Sequence, residues 1–85
     1  MLSFSDKGWN QYTEWQDEDR KTIKKINRLL KSIERDGAME GEGQPEKLKN
    51  LTDTYSRHID EKNRLVYIAV AGNYTVKSCK GHYED

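Results

Sequence analysis

Residues 23–33 read IKKINRLLKSI, and this stretch decides the fold. Its apolar residues recur at intervals of three and four, which places them on one face of a helix with 3.6 residues per turn. They are Ile23, Ile26, Leu29, Leu30 and Ile33. Asp36 and Gly37 follow, and glycine readily takes the left-handed conformation that ends a helix. The sequence therefore predicts an amphipathic helix whose apolar face packs against the rest of the protein.

The residues before this helix predict a short strand and a first helix. Residues 2–4 form the candidate strand, and Ser5 is a suitable N-cap with Asp6 in the favourable first turn. Three aromatic residues then follow at intervals of three: Trp9, Tyr12 and Trp15. We expect both tryptophans to anchor the core, and a short connection near residues 17–19 to pair the two helices as a hairpin.

Beyond the second helix, the pattern changes from a helical period to alternation. Residues 37–45 contain three glycines and a proline, so we expect a loop. Strands are predicted over residues 55–59, 64–71 and 74–83. Turns separate them at residues 60–63 and at Gly72–Asn73. Two N-terminal helices followed by an antiparallel β-sheet predict an α+β fold, as a single domain over residues 1–85.

Composition narrows the class of protein. The chain has 85 residues, 33% of them hydrophobic, with 15 basic and 15 acidic side chains. No apolar run approaches the roughly 18 residues of a membrane span, and residues 1–6 lack the pattern of a secretory signal. The single cysteine, Cys79, cannot form an internal disulfide, which favours a reducing compartment. We therefore expect a small cytoplasmic domain that does not contact a membrane.

The neutral total charge hides a basic segment. Residues 19–35 carry seven bases and two acids, whereas residues 36–46 carry four acids and no base. A basic stripe along the second helix comprises Lys24, Arg28, Lys31 and Arg35. Such a stripe is either an ordinary solvated helix face or a surface that binds RNA phosphates.

Motifs for nucleotide and metal binding are weak. The glycines at 41 and 43 lie in an acidic segment without the Gly-Lys-Ser/Thr ending of a P-loop. Cys79 and His82 would point to opposite faces of a strand, and with His58 they give only three possible zinc ligands. We expect no metal and no other cofactor.

Four segments, in order along the chain, resemble the YoeB/Txe toxin family, which belongs to the RelE/ParE superfamily. They are GQPEKLK at 43–49, YSR at 55–57, NRLVY at 63–67 and HY at 82–83. The similarity implies a RelE-like fold of two helices on an antiparallel sheet. It also implies a toxin that cuts messenger RNA at the ribosome.

The resemblance gives roles to particular side chains. Metal-free RNA cleavage needs a base for the 2′-hydroxyl, an acid for the departing 5′-oxygen, and cations for the phosphate. Glu46 would be the base and His82 the acid, although the two roles could be shared differently. Arg64 and Lys49 would bind the phosphate, and Tyr83 would stack on or orient a base. Further RNA contacts are expected from Arg57, Lys24, Arg28 and Lys31.

Two features test or qualify this assignment. Arg64 and His82 can serve one phosphate only from one face of the sheet, and a two-residue Gly72–Asn73 turn would put them on opposite faces. We therefore expect a longer loop, or a β-bulge that restores the phase.

The chain also has His58, Gln44 and Lys47 where relatives frequently have arginine, lysine and proline.

The resemblance further implies a set of partners. They are a cognate YefM-like antitoxin, the ribosome and its mRNA, promoter DNA through the antitoxin complex, and a second copy in a homodimer. Two alternatives remain: a toxin that binds a target without cleaving RNA, and a degenerate toxin that acts only as a co-repressor with its antitoxin.

Overall fold

A computed structural model describes residues 1–82. Two helices lie on one side of a five-stranded sheet with the strand order β1-β5-β4-β3-β2. The elements are β1 Leu2–Phe4, α1 Asp6–Glu18, α2 Arg20–Asp36, β2 Glu46–Lys47, β3 Thr54–His58, β4 Arg64–Val70 and β5 Asn73–Ser78. The α+β class is therefore confirmed. Within these 82 residues no helix combines the length and the apolar character needed to cross a membrane.

The sheet is mixed, which corrects the expectation of a wholly antiparallel one. Strands β2 to β5 pair antiparallel, but β1 runs parallel to β5, with Leu2 opposite Tyr74. This pairing joins the two ends of the described chain, so no local pattern predicts it. The two-residue strand β2 was also not predicted, because Glu46 and Lys47 are both exposed and show no alternation.

The helices are joined by a single residue, Asp19. Its N–H donates to the Trp15 carbonyl at 2.9 Å and closes α1, and its carboxylate accepts from the N–H groups of Lys21 and Thr22 at the start of α2. The hydroxyl of Thr22 and these backbone donors hold the pKa of Asp19 below its ordinary value. The predicted helical hairpin is thus confirmed, with one acidic side chain serving as the N-cap of α2.

The predicted apolar face of α2 forms the centre of the core. Ile26, Leu29 and Ile33 have no exposed surface and pack against residues of the sheet such as Leu65 and Val76. Trp15 is buried as expected. The core placement of Trp9 is wrong: its side chain is 51% exposed and stacks on Tyr12, with ring centroids 5.9 Å apart.

The β4–β5 hairpin contains the predicted irregularity. Its turn is Ala71–Gly72, one residue earlier than expected, and both residues have positive φ. Tyr67 pairs with Val76 but Val66 pairs with Ser78, so Lys77 is the extra residue of a β-bulge. The bulge shifts the register by one residue, so the expected bulge is confirmed. However, β5 ends at Ser78, so regular pairing does not continue to His82.

Candidate active site

The sheet has a face that is turned away from the helices, and we call it the open face. Glu46 pairs with Ser56, Ser56 with Val66, and His58 with Arg64. Because strand side chains alternate, these even-numbered residues share the open face. Glu46 and Arg64 lie two strands apart and two residues apart along the strand direction. Their Cα atoms are therefore about 12 Å apart, which lets two long side chains meet at one group.

Arg64 is fixed by the turn that precedes it. Its Nη1 donates to the carbonyls of Asp60 at 2.7 Å and Asn63 at 3.2 Å. The Asp60 carboxylate in turn accepts from the backbone N–H groups of Lys62 and Asn63, both at 2.8 Å. Partial burial would raise the pKa of Asp60, but the hydrogen bonds from Asn63 and Lys62 outweigh it and the pKa is lowered. The charged Asp60 carboxylate therefore stabilises the turn whose carbonyls accept hydrogen bonds from Arg64.

The same turn holds the chain just before His82. The N–H of Arg64 donates to the Gly81 carbonyl at 3.0 Å, and the Gly81 N–H donates to Asn63 Oδ1 at 2.8 Å. His82 is exposed and follows directly from this anchored residue. The structure therefore brings the backbone at His82 to the first residue of β4. Tyr83 lies outside the described residues.

Helix α1 anchors the same segment from the other side. Gln11 Oε1 accepts from the N–H groups of Cys79 at 2.7 Å and Lys80 at 3.1 Å, and the Trp15 indole N–H donates to the Cys79 carbonyl at 2.8 Å. Lys80 Nζ reaches Glu18 at 3.0 Å. Residues 79–81, which we call the C-terminal segment, are thus held although they lie beyond the last strand.

Lys49 lies in the turn that follows β2. It follows Leu48, which is buried and whose N–H donates to the Thr54 carbonyl at 2.8 Å, next to β2. Lys49 itself is exposed and lines a small cavity of about 350 Å³. Its neighbour two residues earlier on the chain, Lys47, pairs with Tyr55 and also lines that cavity.

Comparison with known proteins identifies the family. The family described as YoeB-like toxin of bacterial type II toxin-antitoxin systems matches residues 4–83. This chain belongs to that family. It is 41% identical to the toxin YoeB of Escherichia coli K12 over 83 residues, which cover 96% of this chain and 98% of the relative. This protein is accordingly a YoeB-like toxin.

Solved structures agree with this assignment. The YoeB chain in the heterotetrameric YoeB-YefM complex from Staphylococcus aureus superposes with a TM-score of 0.89 at 50% identity, covering 98% of this chain and 97% of that one. A YoeB dimer from the same organism gives 0.89 at 49% identity, covering 96% and 95%. The E. coli DinJ-YafQ complex, at 11% identity and a TM-score of 0.81 over 96% of this chain and 92% of that chain, shows the shared fold alone.

Arg57 has a structural place in this YoeB-like toxin, so the expected RNA contact is wrong. Its side chain has no exposed surface. All five of its N–H groups donate within the protein, at distances of 2.7 to 2.9 Å. The acceptors are the hydroxyls of Tyr67 and Ser32 and the carbonyls of Gly37, Glu40 and Glu42. Arg57 therefore fastens the loop that leads to Glu46.

The basic stripe lies on the other side of the molecule from the open face. Lys24 and Lys31 are exposed on α2, opposite its buried apolar face. Arg28 donates through Nε and Nη2 to Glu42 at 3.1 and 3.0 Å, and Lys25 reaches the same oxygen at 3.1 Å. These bonds, Arg28 first, lower the pKa of Glu42. The stripe and the pair Glu46–Arg64 are therefore not brought together.

Cys79 is not placed to act as a nucleophile or a ligand. It has no exposed surface, and burial raises the pKa of its thiol to about 11, so the thiol is protonated at neutral pH. Across residues 1–82, no group of three or more His, Cys, Asp or Glu side chains is arranged to hold a metal ion.

The sequence patterns did not indicate the side chains that anchor the C-terminal segment. Gln11 lies one helical turn before Trp15 on the same face of α1, and Asn63 closes the turn directly before Arg64. The spacing of Gln11 and Trp15 by four residues is a usable signal, because such positions are neighbours on a helix surface.

Proposed function

We propose that this toxin is a ribosome-dependent endoribonuclease that cuts messenger RNA and so inhibits translation. The observation that carries the proposal is the bond from the Arg64 N–H to the Gly81 carbonyl at 3.0 Å. This bond ties the backbone before His82 to a strand whose first side chain shares the open face with Glu46. We propose that a carboxylate, a guanidinium and an imidazole meet around one region of this surface.

The proposed chemistry is an internal transfer at one phosphodiester. Glu46 takes the proton of the 2′-hydroxyl, and the freed oxygen attacks the adjacent phosphorus. The bond from phosphorus to the 5′-oxygen breaks, and His82 gives that oxygen a proton. Arg64 and Lys49 stabilise the charge that builds on the phosphoryl oxygens. The products are a 2′,3′-cyclic phosphate and a 5′-hydroxyl, and Tyr83 is proposed to orient the neighbouring base.

Dependence on the ribosome follows from the second charged surface. Lys24, Arg28 and Lys31 lie away from the open face, so they do not serve the scissile phosphate. We propose that they bind ribosomal RNA and that the ribosome presents the message to the open face. Placement by the ribosome would supply much of the catalytic effect, because orientation of the reacting groups lowers the barrier strongly.

The partners are proposed from the relatives. We propose that a YefM-like antitoxin binds and inhibits this toxin, that the complex binds its promoter DNA, and that two copies form a homodimer. Support comes from the solved YoeB-YefM complex and YoeB dimer of S. aureus, which are half identical to this chain. A cytoplasmic location is part of the same proposal, since ribosomes are the proposed site of action.

The test combines the purified chain with ribosomes and a short message, and maps the 5′ ends that appear. We expect cuts only with ribosomes, and a loss of about 10² to 10⁴ in rate for Glu46→Gln and for His82→Gln. Glu34→Gln, which removes an exposed carboxylate on α2, is the control and should cut normally. Growth arrest with intact message would instead indicate a toxin that only binds, and neither effect would indicate a degenerate co-repressor.

A further inference from the structure

A groove of about 510 Å³ lies on the open face beside the candidate active site. Its accessible apolar lining is Ile68 of β4, which is half-buried, and Leu51, which is 40% exposed and comes from the segment between β2 and β3. Val66 of β4 lies beneath them and is only 4% exposed. Lys7 and Lys77 line the groove, together with hydroxyl groups such as that of Thr54. Exposed apolar surface with a polar rim is typical of a binding site.

The groove is continuous with the proposed catalytic groups. Val66 lies in the same row across the sheet as Glu46, through their shared neighbour Ser56. The cavity that Lys49 lines shares Leu51 with the groove. Ser56 and Val66 are themselves buried, at 3% and 4% exposure, so an RNA chain that follows this row from Glu46 meets the groove at Leu51 and Ile68.

Two local features direct the lysines into the groove. Lys77 is the extra residue of the β-bulge, which sends Lys77 and Ser78 to the same side of β5, and bulges commonly re-aim side chains next to active sites. Gly8 lets α1 approach β5, because a Cβ there would lie 2.4 Å from the Val76 carbonyl oxygen. This close approach brings the neighbouring Lys7 to the edge of the open face.

The charge of the groove suits a polyanion. No acidic residue lines it, and among residues 1–82 no acidic side chain lies within ion-pair distance of Lys7 or Lys77. By contrast, Lys25 and Lys80 are both paired with glutamates. Two lysines beside an aliphatic floor match the two parts of a nucleotide, a charged phosphate and a largely apolar base face.

We propose that this groove is a subsite for a ribonucleotide next to the cleaved phosphodiester. The base and sugar lie on Ile68 and Leu51, and Lys7 and Lys77 bind the phosphate. The subsite deepens the proposed endoribonuclease function and rests on it. A groove of this kind would hold the message across the open face after the ribosome has delivered it.

The test measures binding of the free protein to a fluorescent hexaribonucleotide whose 2′-O-methyl groups prevent cleavage. For the Lys7→Gln/Lys77→Gln protein, we expect the slope of log affinity against log salt to fall by about 1.4, since each single-strand phosphate contact contributes about 0.7. Affinity should drop about 25-fold at 0.1 M salt, and the difference should close towards 1 M. Leu51→Ser should weaken binding several-fold without changing the slope.

Lys21→Gln is the matched control, because it removes the same charge from an exposed position on the first turn of α2, outside the groove. It should bind the hexamer as the unaltered protein does, and melting temperatures should show that all variants are folded. Unchanged hexamer binding by the lysine double variant would overturn the subsite. The subsite would also be overturned if the lysine double variant lost affinity only for the antitoxin, because the groove would then be a protein-binding surface. Message cleavage on ribosomes is scored separately, so failure of the endonuclease proposal is distinguishable from failure of the subsite.

Discussion

Two arginines on neighbouring strands show how one side-chain type acquires opposite uses. Arg57 occupies an inward position of β3 and has all five N–H groups bonded to acceptors inside the protein. Arg64 occupies an outward position of β4 and is tied through Nη1 to its own turn. The alternation of strand side chains decides this difference. The inner arginine stabilises the fold, and the outer one lies where a phosphate could bind.

Replacing Arg57 by lysine should destabilise the toxin strongly. Lysine offers three donors from one point in place of a planar fork, so at least two buried acceptors would lose their partners. Each buried acceptor that loses its hydrogen bond costs about 1 to 3 kcal/mol, so we expect a loss of about 3 kcal/mol in the free energy of unfolding. Urea denaturation measures this loss. Arg35→Lys, at a side chain that is 70% exposed, should change stability by less than about 0.5 kcal/mol.

The buried thiol of Cys79 should make stability fall at alkaline pH. Its pKa is raised to about 11, whereas a thiol in an unfolded chain has a pKa of about 8.5. The unfolded chain therefore loses its proton first, so the contribution is complete below about pH 8.5 and is lost as pH rises towards 11. By pH 10 the loss should be about 2 kcal/mol relative to pH 7.5.

Urea unfolding at the two pH values, compared with Cys79→Ala, isolates this effect. All other side chains are the same in both proteins, so their contributions cancel in the comparison. The unaltered protein should lose about 2 kcal/mol more than the alanine variant between pH 7.5 and 10. Parallel behaviour of the two proteins would mean that burial does not hold the thiol protonated.

At the scale of elements, the C-terminal segment depends on elements far from it in sequence. Strand β5 ends at Ser78, and residues 79–81 form no further ladder. Gln11 and Trp15 of α1 hold the segment from one side, and Asn63 and Arg64 hold it from the other. A segment without strand pairing needs such contacts to hold one position. These contacts position the residue that the proposed mechanism uses as its acid.

Substitutions of Gln11 should therefore alter turnover more than substrate binding. Gln11→Leu removes the acceptor of two N–H groups, and we expect kcat for message cleavage on ribosomes to fall about 10- to 100-fold with KM nearly unchanged. Gln11→Glu keeps an acceptor oxygen and should restore most of the rate. Gln16→Leu, an exposed glutamine on the same helix, is the control. Equal losses of kcat in the leucine and glutamate variants would contradict a positioning role.

Elements set by neighbouring residues could be predicted, and those set by distant ones could not. The apolar period of α2 and the Ser5 cap are local signals, and both agree with the structure. The parallel β1–β5 pair and the burial of Arg57 depend on residues distant in sequence. Arg57 in particular looks like a surface base until the loop closes over it. In the candidate site, the shared face of Glu46 and Arg64 follows from the register of β2, β3 and β4. The roles of Gln11 and Asn63 as anchors of the C-terminal segment were only weakly indicated by the sequence.

At the scale of the whole molecule, the sheet separates two surfaces of different use. The open face carries Glu46 and Arg64, and the exposed face of α2 carries Lys24 and Lys31. The molecule is 24 Å across even in its shortest dimension, so the two surfaces do not contact the same phosphate. This separation supports the proposal that the exposed face of α2 binds the ribosome and the open face cuts the message.

Removing the charges of Lys24 and Lys31 together should therefore impair delivery alone. We expect the Lys24→Gln/Lys31→Gln protein to show a higher KM for programmed ribosomes with kcat unchanged, because neither side chain reaches the open face. Its log kcat/KM should also fall less steeply with log salt, by about 1.8 if each lysine contacts one phosphate of duplex ribosomal RNA. Steady-state cleavage at several salt concentrations measures both quantities. Arg28 is left in place because its bonds to Glu42 make its loss a structural change as well.

Lys62→Gln, which removes one charge from an exposed turn residue, provides the comparison for a general effect of charge. A fall in kcat at unchanged KM in the double variant would contradict a role in delivery alone. It would mean that these lysines act in the chemical step, although within one copy of the chain they lie on the other side of the sheet. Such a result would require a second copy of the chain to bring its α2 to the open face of the first. Analytical ultracentrifugation of the double variant would test this explanation, because substitutions in such a contact between copies should reduce the amount of dimer together with the rate. The dimer content and the salt dependence of kcat/KM together then assign a role to each face.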